Sequence, residues 1–287
     1  MSTYTVAHSP DADDIFMFYA IAFGWVSDPA IKLTNIALDI ETLNQVALQN
    51  SYDISAISFA LYPKIRNEYA LLRTAVSFGE GYGPKLIKKR GKRLKRNFKV
   101  ALSGAHTTNA LLFRIAYPQA RIVYMNFLEI EQAVIDGKVD AGVLIHESIL
   151  DFSNELEVER ELWDIWVELA KEELPLPLGG MALRRSIPLN KAITVEKMLT
   201  KAVKVANDHK ELLSKMLLAR NLVRIDDEKL QKYLSLYANE DSITMNEKQF
   251  QALDRLFAIG FEYGFYDCPI RAKDFLIPLA YEELRNQ

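Results

Sequence analysis

The chain has 287 residues with 35 basic and 38 acidic side chains, a net charge of -3, and 49% of its residues are hydrophobic. This composition excludes a disordered, collagen-like or low-complexity chain, and the length suits one large domain or two ordinary ones. Because Cys268 is the only cysteine, an intramolecular disulfide and a zinc site built from several cysteines are also excluded.

The sequence contains no apolar run near the roughly 18 residues that a membrane-spanning helix requires. A predicted strand over residues 4–7 comes almost at once, with neither a basic segment nor an apolar signal region before it. We therefore expect a soluble, cytoplasmic protein that has no membrane partner.

Strands and helices alternate in the first part of the chain. After the strand at residues 4–7, residues 9–14 predict the start of a buried helix, with polar caps, an early proline and acidic side chains. Strands at 32–38 and 53–58 then flank a helix over 41–49. This order builds a mostly parallel sheet with helices on its faces.

The same order returns after a basic segment. A strand at residues 99–102 is followed by a loop at 103–109 that opens a helix. A strand at 121–126, a helix at 128–136 and a strand at 140–145 complete the second unit. The halves match at an offset of 87 residues, with Asp53 and Asp140 each opening an apolar strand. Two such units predict a two-lobed α/β fold of the periplasmic-binding-protein type (type II), with a mixed sheet in each lobe.

A helical segment follows the two units. Amphipathic patterns predict helices over residues 195–222 and 247–263, which we expect to pack around the first lobe without contributing catalytic groups. We place the large lobe at residues 1–95 and 180–287 and the small lobe at 96–179. The ligand cleft is expected between them.

Residues 85–99 contain nine lysines and arginines and no acidic residue. Such a segment can bind nucleic-acid phosphates. It is short, however, the rest of the chain is acidic, and no recognition motif accompanies it. We favour a solvated hairpin around Gly91 between two strands, and we expect no nucleic-acid partner.

The predicted fold indicates where a ligand would bind. In open α/β sheets, ligands lie beyond the carboxyl ends of the strands, where helix N-termini also point. Thr107 and Thr108 begin a predicted helix and suit a carboxylate or phosphate, although either could serve only as a helix cap. The candidate positions are residues 9–14, 55–58, 103–108 and 146–147.

Among the four histidines, His146 directly follows an apolar strand at its carboxyl end. Imidazole titrates near neutral pH, so His146 is a candidate general acid or base, the alternative being a structural histidine. His8 and His106 remain open as ligand contacts, and we predict His209 at the surface. Histidine spacing does not favour a metal site, and the acids of residues 11–14 fit a helix start better than a magnesium site.

Seven motifs in this order resemble the 1,4-dihydroxy-6-naphthoate synthase family, which acts in the futalosine route of menaquinone biosynthesis. The resemblance runs from about residue 4 to 185. The motifs are SPDADDIF at 9–16, ETLN at 41–44, DISAISF at 53–59, GYGP at 81–84, TT at 107–108, IHE at 145–147 and LPLGG at 176–180.

This resemblance implies a lyase that converts cyclic dehypoxanthinyl futalosine, a carboxylated small molecule, into 1,4-dihydroxy-6-naphthoate and dihydroxyacetone. It implies the two-lobed fold, no cofactor and no metal, and His146 as the catalytic base. The substrate-binding residues that it implies are Ala56, Ile57, Ser58, Thr107 and Thr108. We add two neighbouring residues, Ser55 and Asp14, as candidate substrate-binding residues.

Two other functions remain open. Chorismate dehydratase of the same pathway shares the expected fold, but it does not depend on a histidine at the position of His146. A solute-binding protein that only captures a small anion would also fit a two-lobed cleft. The sequence leaves the oligomeric state undetermined.

Overall fold

The computed structural model describes residues 1–281, in which the strands form two mixed sheets. The strands are β1 (Ser2–His8), β2 (Ile31–Ala37), β3 (Ile54–Ser58), β4 (Tyr69–Leu71), β5 (Ser77–Gly79), β6 (Lys85–Lys89), β7 (Lys99–Leu102), β8 (Arg121–Tyr124), β9 (Ala141–Leu144), β10 (Leu156–Glu161) and β11 (Leu176–Arg184). The helices are α1 (Ala12–Ala22), α2 (Ile40–Leu48), α3 (Tyr62–Ile65), α4 (Thr108–Ala116), α5 (Phe127–Ile135), α6 (Leu162–Ala170), α7 (Leu189–Asp208), α8 (Lys210–Ala219), α9 (Asp227–Tyr237) and α10 (Glu247–Glu262). Both predicted strand–helix units are present.

The first sheet is organised around β1, which runs parallel to β2 and β3. Val6 lies opposite Ile54 and Ala7 opposite Ser55, so β1 and β3 end at the same edge of the sheet. β11 is antiparallel to β3 and also pairs with β4 and β5. Helices cover parallel sheets on both faces, and accordingly every residue of β3 is buried.

The second sheet has the order β10-β6-β9-β7-β8. β7 runs parallel to β8 and β9, whereas β6 is antiparallel to β9 and β10. The predicted hairpin around Gly91 is therefore wrong, because β9 lies between β6 and β7. Gly91 does turn the chain, with a φ of 73° that favours glycine, but the segment that follows it passes over β9.

The chain crosses between the sheets twice, after β5 and after β10. The first crossing precedes residue 85, since β6 already pairs with β9, so the expected boundary at residue 95 is too late. The expected return at residue 180 falls inside β11, which belongs to the first sheet from Leu176. Glycine permits the first crossing: Gly81 has a φ of 74°, and a Cβ on Gly79 would lie 2.2 Å from the Tyr82 carbonyl oxygen.

The C-terminal helices pack mainly on the first sheet. α7 contacts α1, and α10 contacts β11. The predicted long helix over 195–222 is divided at His209, whose backbone (φ -122°, ψ 32°) is not helical. α9 was not predicted, and it packs against α1 and β5. Within residues 1–281, no helix combines the length and the apolar character needed to cross a membrane.

Candidate active site

A cavity of about 700 Å³, including its open mouth, lies between the two sheets. This volume is in the range of pockets that hold small organic ligands, about 300–1,000 Å³. The edges predicted from the sequence contribute to its wall, together with the middle of β11 and the face of α9. Among the lining residues are Asp11, Asp13, Asp14, Ala56, Ile57, Ser58, Thr107, Thr108, Asn109, His146, Gly179, Gly180, Tyr233 and Tyr237.

His146 occupies the turn directly after β9, in a left-handed backbone conformation with φ of 53°. Its Nδ1 contacts the Asp11 carboxylate, and the edge of its ring faces Phe127, with 4.9 Å between ring centroids. Its Nε2 is buried and has no hydrogen-bond partner among the described residues. One ring nitrogen is thus held by the protein, while the other has no protein partner, in a residue that lines the cavity.

Opposing effects act on the pKa of His146. Burial alone lowers this pKa, but the charge of Asp11 and its hydrogen bond to the ring raise it, as do Glu147 and Asp14. The net result is a pKa above the ordinary value of 6.5. A basic, hydrogen-bonded imidazole suits proton transfer near neutral pH.

A cluster of buried acids surrounds this histidine. Burial and the neighbouring charge of Asp11 raise the pKa of Asp13 well above its ordinary value and that of Asp14 to about 7. Burial also raises the pKa of Glu147, whose Oε1 accepts a hydrogen bond of 2.9 Å from the Ala12 backbone N–H. Over residues 1–281, no group of three or more His, Cys, Asp or Glu has the arrangement of a metal site.

The end of β3 brings Ala56, Ile57 and Ser58 to the cavity wall. Asn44 of α2 supports this strand end: its amide oxygen accepts from the Ser58 N–H (2.9 Å) and its nitrogen donates to the Ser58 hydroxyl (3.0 Å). Ser55, a predicted substrate-binding residue, is not among the residues that line the cavity. Its hydroxyl donates to the Ala56 carbonyl oxygen instead.

Replacing Asn44 with alanine is expected to lower the free energy of unfolding by about 2 kcal/mol, because it leaves a buried Ser58 N–H without an acceptor. Urea denaturation measures this difference. Gln45→Ala is the matched control: Gln45 is on the same helix but exposed, and its replacement should change stability by less than about 0.5 kcal/mol. Equal losses in the two variants would contradict the supporting role of Asn44.

Thr107 and Thr108 begin α4 as predicted, and both hydroxyls have protein partners. Thr107 is the helix cap, with its Oγ1 accepting from the Ala110 N–H at 3.1 Å. The Thr108 hydroxyl donates to the Leu178 carbonyl oxygen (3.1 Å). Since helix-start N–H groups have no partner within the helix, the Thr108 and Asn109 N–H groups are the donors left for an anion.

Buried polar atoms without partners concentrate along the cavity. Within the described part of the chain they include Asp13 Oδ1, Asn109 Oδ1 and His146 Nε2, all in residues that line the cavity. Buried polar atoms in proteins are almost always hydrogen-bonded. A polar ligand that supplies the missing partners therefore suits this cavity.

The sequence reasoning missed α9, which presents Tyr233 and Tyr237 to the cavity. Their rings contact each other, with centroids 4.9 Å apart, and Tyr237 also meets Tyr82 edge-on at 5.3 Å. The C-terminal segment therefore lines the cavity in addition to packing around the first lobe. Tyrosines four positions apart share a helix face, so the spacing of Tyr233 and Tyr237 was the sequence signal that could have indicated this aromatic surface.

The other histidines do not line the cavity. His8 is buried, with its Nδ1 2.7 Å from the Ser9 carbonyl oxygen and its Nε2 3.1 Å from the Asn35 amide nitrogen. Burial lowers the pKa values of both His8 and His106. His209 is exposed, as predicted. Only His146 combines a cavity position with a free ring nitrogen.

Part of the basic segment 85–99 is neutralised within the second sheet. Lys88 lies 2.6 Å from a carboxylate oxygen of Glu159, and Lys85 lies 3.6 Å from one of Glu161. Both acids are on the neighbouring strand β10. These pairs favour the interpretation of a solvated face over that of a phosphate-binding surface.

Solved structures are similar over nearly the whole chain. A crystal structure of an Archaeoglobus fulgidus protein is 33% identical, with a TM-score of 0.84 over 92% of this chain and 98% of that chain. The periplasmic aliphatic sulphonate binding protein of Escherichia coli is 11% identical, with a TM-score of 0.64 over 96% of this chain and 92% of that chain. The predicted periplasmic-binding-protein-like fold is confirmed.

The sequence itself matches the family described as menaquinone biosynthesis over residues 4–262. It is 30% identical over 259 residues to the 1,4-dihydroxy-6-naphtoate synthase of Thermus thermophilus, covering 90% of this chain and 94% of the relative. The resemblance inferred from the seven motifs is thereby confirmed, and the chain belongs to the menaquinone biosynthesis family.

Proposed function

We propose that this protein is a cytoplasmic carbon–carbon lyase that converts cyclic dehypoxanthinyl futalosine into 1,4-dihydroxy-6-naphthoate and dihydroxyacetone. The observation that carries the proposal is the free, buried Nε2 of His146 at the cavity wall. The similarity to a relative named as this synthase supports the choice of substrate.

In this reaction His146 is the general base. Cleaving a carbon–carbon bond of the cyclised sugar and aromatising the remainder requires a proton to be removed and returned, and one imidazole can do both. The Asp11 carboxylate holds the imidazolium that forms after proton removal. The cavity between the lobes limits water around the reacting groups and fixes the substrate against the base.

Substrate recognition then falls to the start of α4 and the end of β3, both of which line the cavity. The aromatic carboxylate binds at the start of α4, where the Thr108 and Asn109 N–H groups that follow the Thr107 cap lie beside positive dipole charge. The end of β3, Ala56 to Ser58, borders the bound ring.

The direct test is to incubate the purified protein with cyclic dehypoxanthinyl futalosine and to detect the naphthoate by chromatography. We expect product without an added cofactor or metal. Conversion of chorismate in its place would assign chorismate dehydratase instead. Tight binding of the substrate without turnover would overturn the enzyme proposal in favour of solute binding.

Activity should also depend on pH in one direction. The base must be neutral, and the pKa of His146 lies above 6.5 because its acidic neighbours outweigh burial. We therefore expect kcat/KM to fall as the pH decreases through this raised pKa, measured between about pH 5.5 and about pH 9. A rate that is constant or increases on acidification would contradict the role of neutral His146.

A further inference from the structure

The contact between Asp11 and His146 joins the two lobes of the protein. Asp11 lies in the loop between β1 and α1, at the edge of the first sheet, and His146 directly follows β9 of the second sheet. Their contact therefore runs from one lobe to the other at the cavity, which both residues line. Asp11 is 3% exposed, so its carboxylate is shielded from water where it meets the ring.

A second contact between the lobes lies beside the first. The Ala12 N–H donates to Glu147 Oε1 at 2.9 Å, so two consecutive residues of each lobe meet. Asp11 is the cap residue of α1, yet its side chain makes no capping hydrogen bond. Glu147 binds the helix start instead, which leaves the Asp11 carboxylate for the ring.

We propose that Asp11 is the positioning residue of the catalytic base, acting across the cleft on His146 Nδ1. The inference rests on the proposed function and deepens it. A carboxylate at Nδ1 requires the neutral ring to carry its proton there, so that the Nε2 lone pair faces the cavity. Because the partners belong to different lobes, the pair joins the two sides of the cleft.

Several other charged or titratable groups face this ring. Glu147 of the same turn and Asp14 of α1 act on the ring through their charges, while Asp13 of α1 and Tyr233 of α9 line the same cavity. Arg224 approaches from the other side, over the Phe127 ring that contacts His146 (5.3 Å to its centroid). All of them remain in a variant at position 11, which removes only the direct contact with Nδ1.

The first experiment is an NMR titration of the histidine rings in the full-length protein without substrate. Only four histidines are present, and the signal missing in His146→Ala identifies the one of interest. We expect wild-type His146 to carry its neutral-state proton on Nδ1. In Asp11→Asn this preference should be lost and the pKa of His146 should fall by about 1 or more.

Glu147→Gln provides the matched control. It also removes one negative charge close to the ring, but the contact of Asp11 with Nδ1 remains, so the protonated nitrogen should stay the same. Identical ring titrations in wild type and Asp11→Asn would overturn the inference. An equal loss of the Nδ1 preference in Asp11→Asn and Glu147→Gln would overturn it too, because charge alone would then explain the effect.

Kinetics with the futalosine substrate separates this inference from the proposed function. In Asp11→Asn we expect kcat to fall at least about 10-fold with KM nearly unchanged, and the acid limb of the pH profile to move to lower pH. In Asp11→Glu, which keeps a carboxylate at this position, the acid limb should lie closer to its wild-type pH than it does in Asp11→Asn. If the wild-type protein forms no naphthoate but the NMR titration gives the expected result, the proposed function is rejected and the positioning of His146 by Asp11 is retained. Normal turnover and an unshifted profile in Asp11→Asn reject the inference alone.

Discussion

Replacing His146 with alanine is expected to reduce kcat for naphthoate formation by about 100- to 10,000-fold, the range over which general-base groups act. No other histidine lines the cavity in the described residues, so no second imidazole is placed to take over the proton transfer. Steady-state assays at saturating substrate measure the loss. Near-wild-type activity in this variant would reject His146 as the base.

The effect on activity must be separated from an effect on folding. His146 is a cavity-wall residue, so we expect its alanine variant to keep the wild-type circular dichroism spectrum and a cooperative thermal transition. His106→Ala serves as a matched control, because its side chain is outside the cavity; we expect that variant to keep nearly full activity. Equal losses in both variants would instead indicate general damage to the second lobe.

Replacing Trp166 with alanine is expected to give the largest loss of stability, about 3–5 kcal/mol. Trp166 is completely buried in α6, and its Nε1 donates to the Leu174 carbonyl oxygen at 2.7 Å. The substitution leaves a cavity in the core and an acceptor without a donor. Chemical denaturation monitored by circular dichroism gives the change in the free energy of unfolding.

Trp163→Ala on the same helix is the control for this prediction. Trp163 is only partly buried, so its removal should cost clearly less than that of Trp166. α6 packs against both α4 and α10, and therefore links the helix that begins at the cavity to the C-terminal helices. A loss of the same size at both positions would contradict the importance of complete burial.

The strand–helix units were predictable because their signals are local. Apolar runs bounded by polar residues indicated β3 and β9, and the alternation with helices indicated parallel pairing. The order of strands was less accessible: β6 and β7 were expected to pair, yet β9 inserts between them. That arrangement depends on contacts between residues far apart in the chain, which no local pattern contains.

The candidate site, like the fold, could be predicted in part from the sequence. Polar residues at strand ends and helix starts led to Ser58, Thr107 and His146, and all three line the cavity. Ser55 lies earlier in β3 and is not among the lining residues, and its hydroxyl donates to the Ala56 carbonyl oxygen within the strand. Tyr233 and Tyr237 were missed because α9 reaches the site only through tertiary packing.

The amino-acid sequence on its own was enough for the two-lobed architecture, the helix start at Thr107 and Thr108 and the choice of His146 as the candidate base, since each follows from residues close together in the chain or from motifs in order. The surroundings of His146 were decided by the tertiary structure. Ala12 and Glu147 are separated by 135 residues yet hydrogen-bonded, and their neighbours Asp11 and His146 meet in the same place. The electrostatic character of a group depends on its burial and on nearby charges, and both arise only when the two sheets come together.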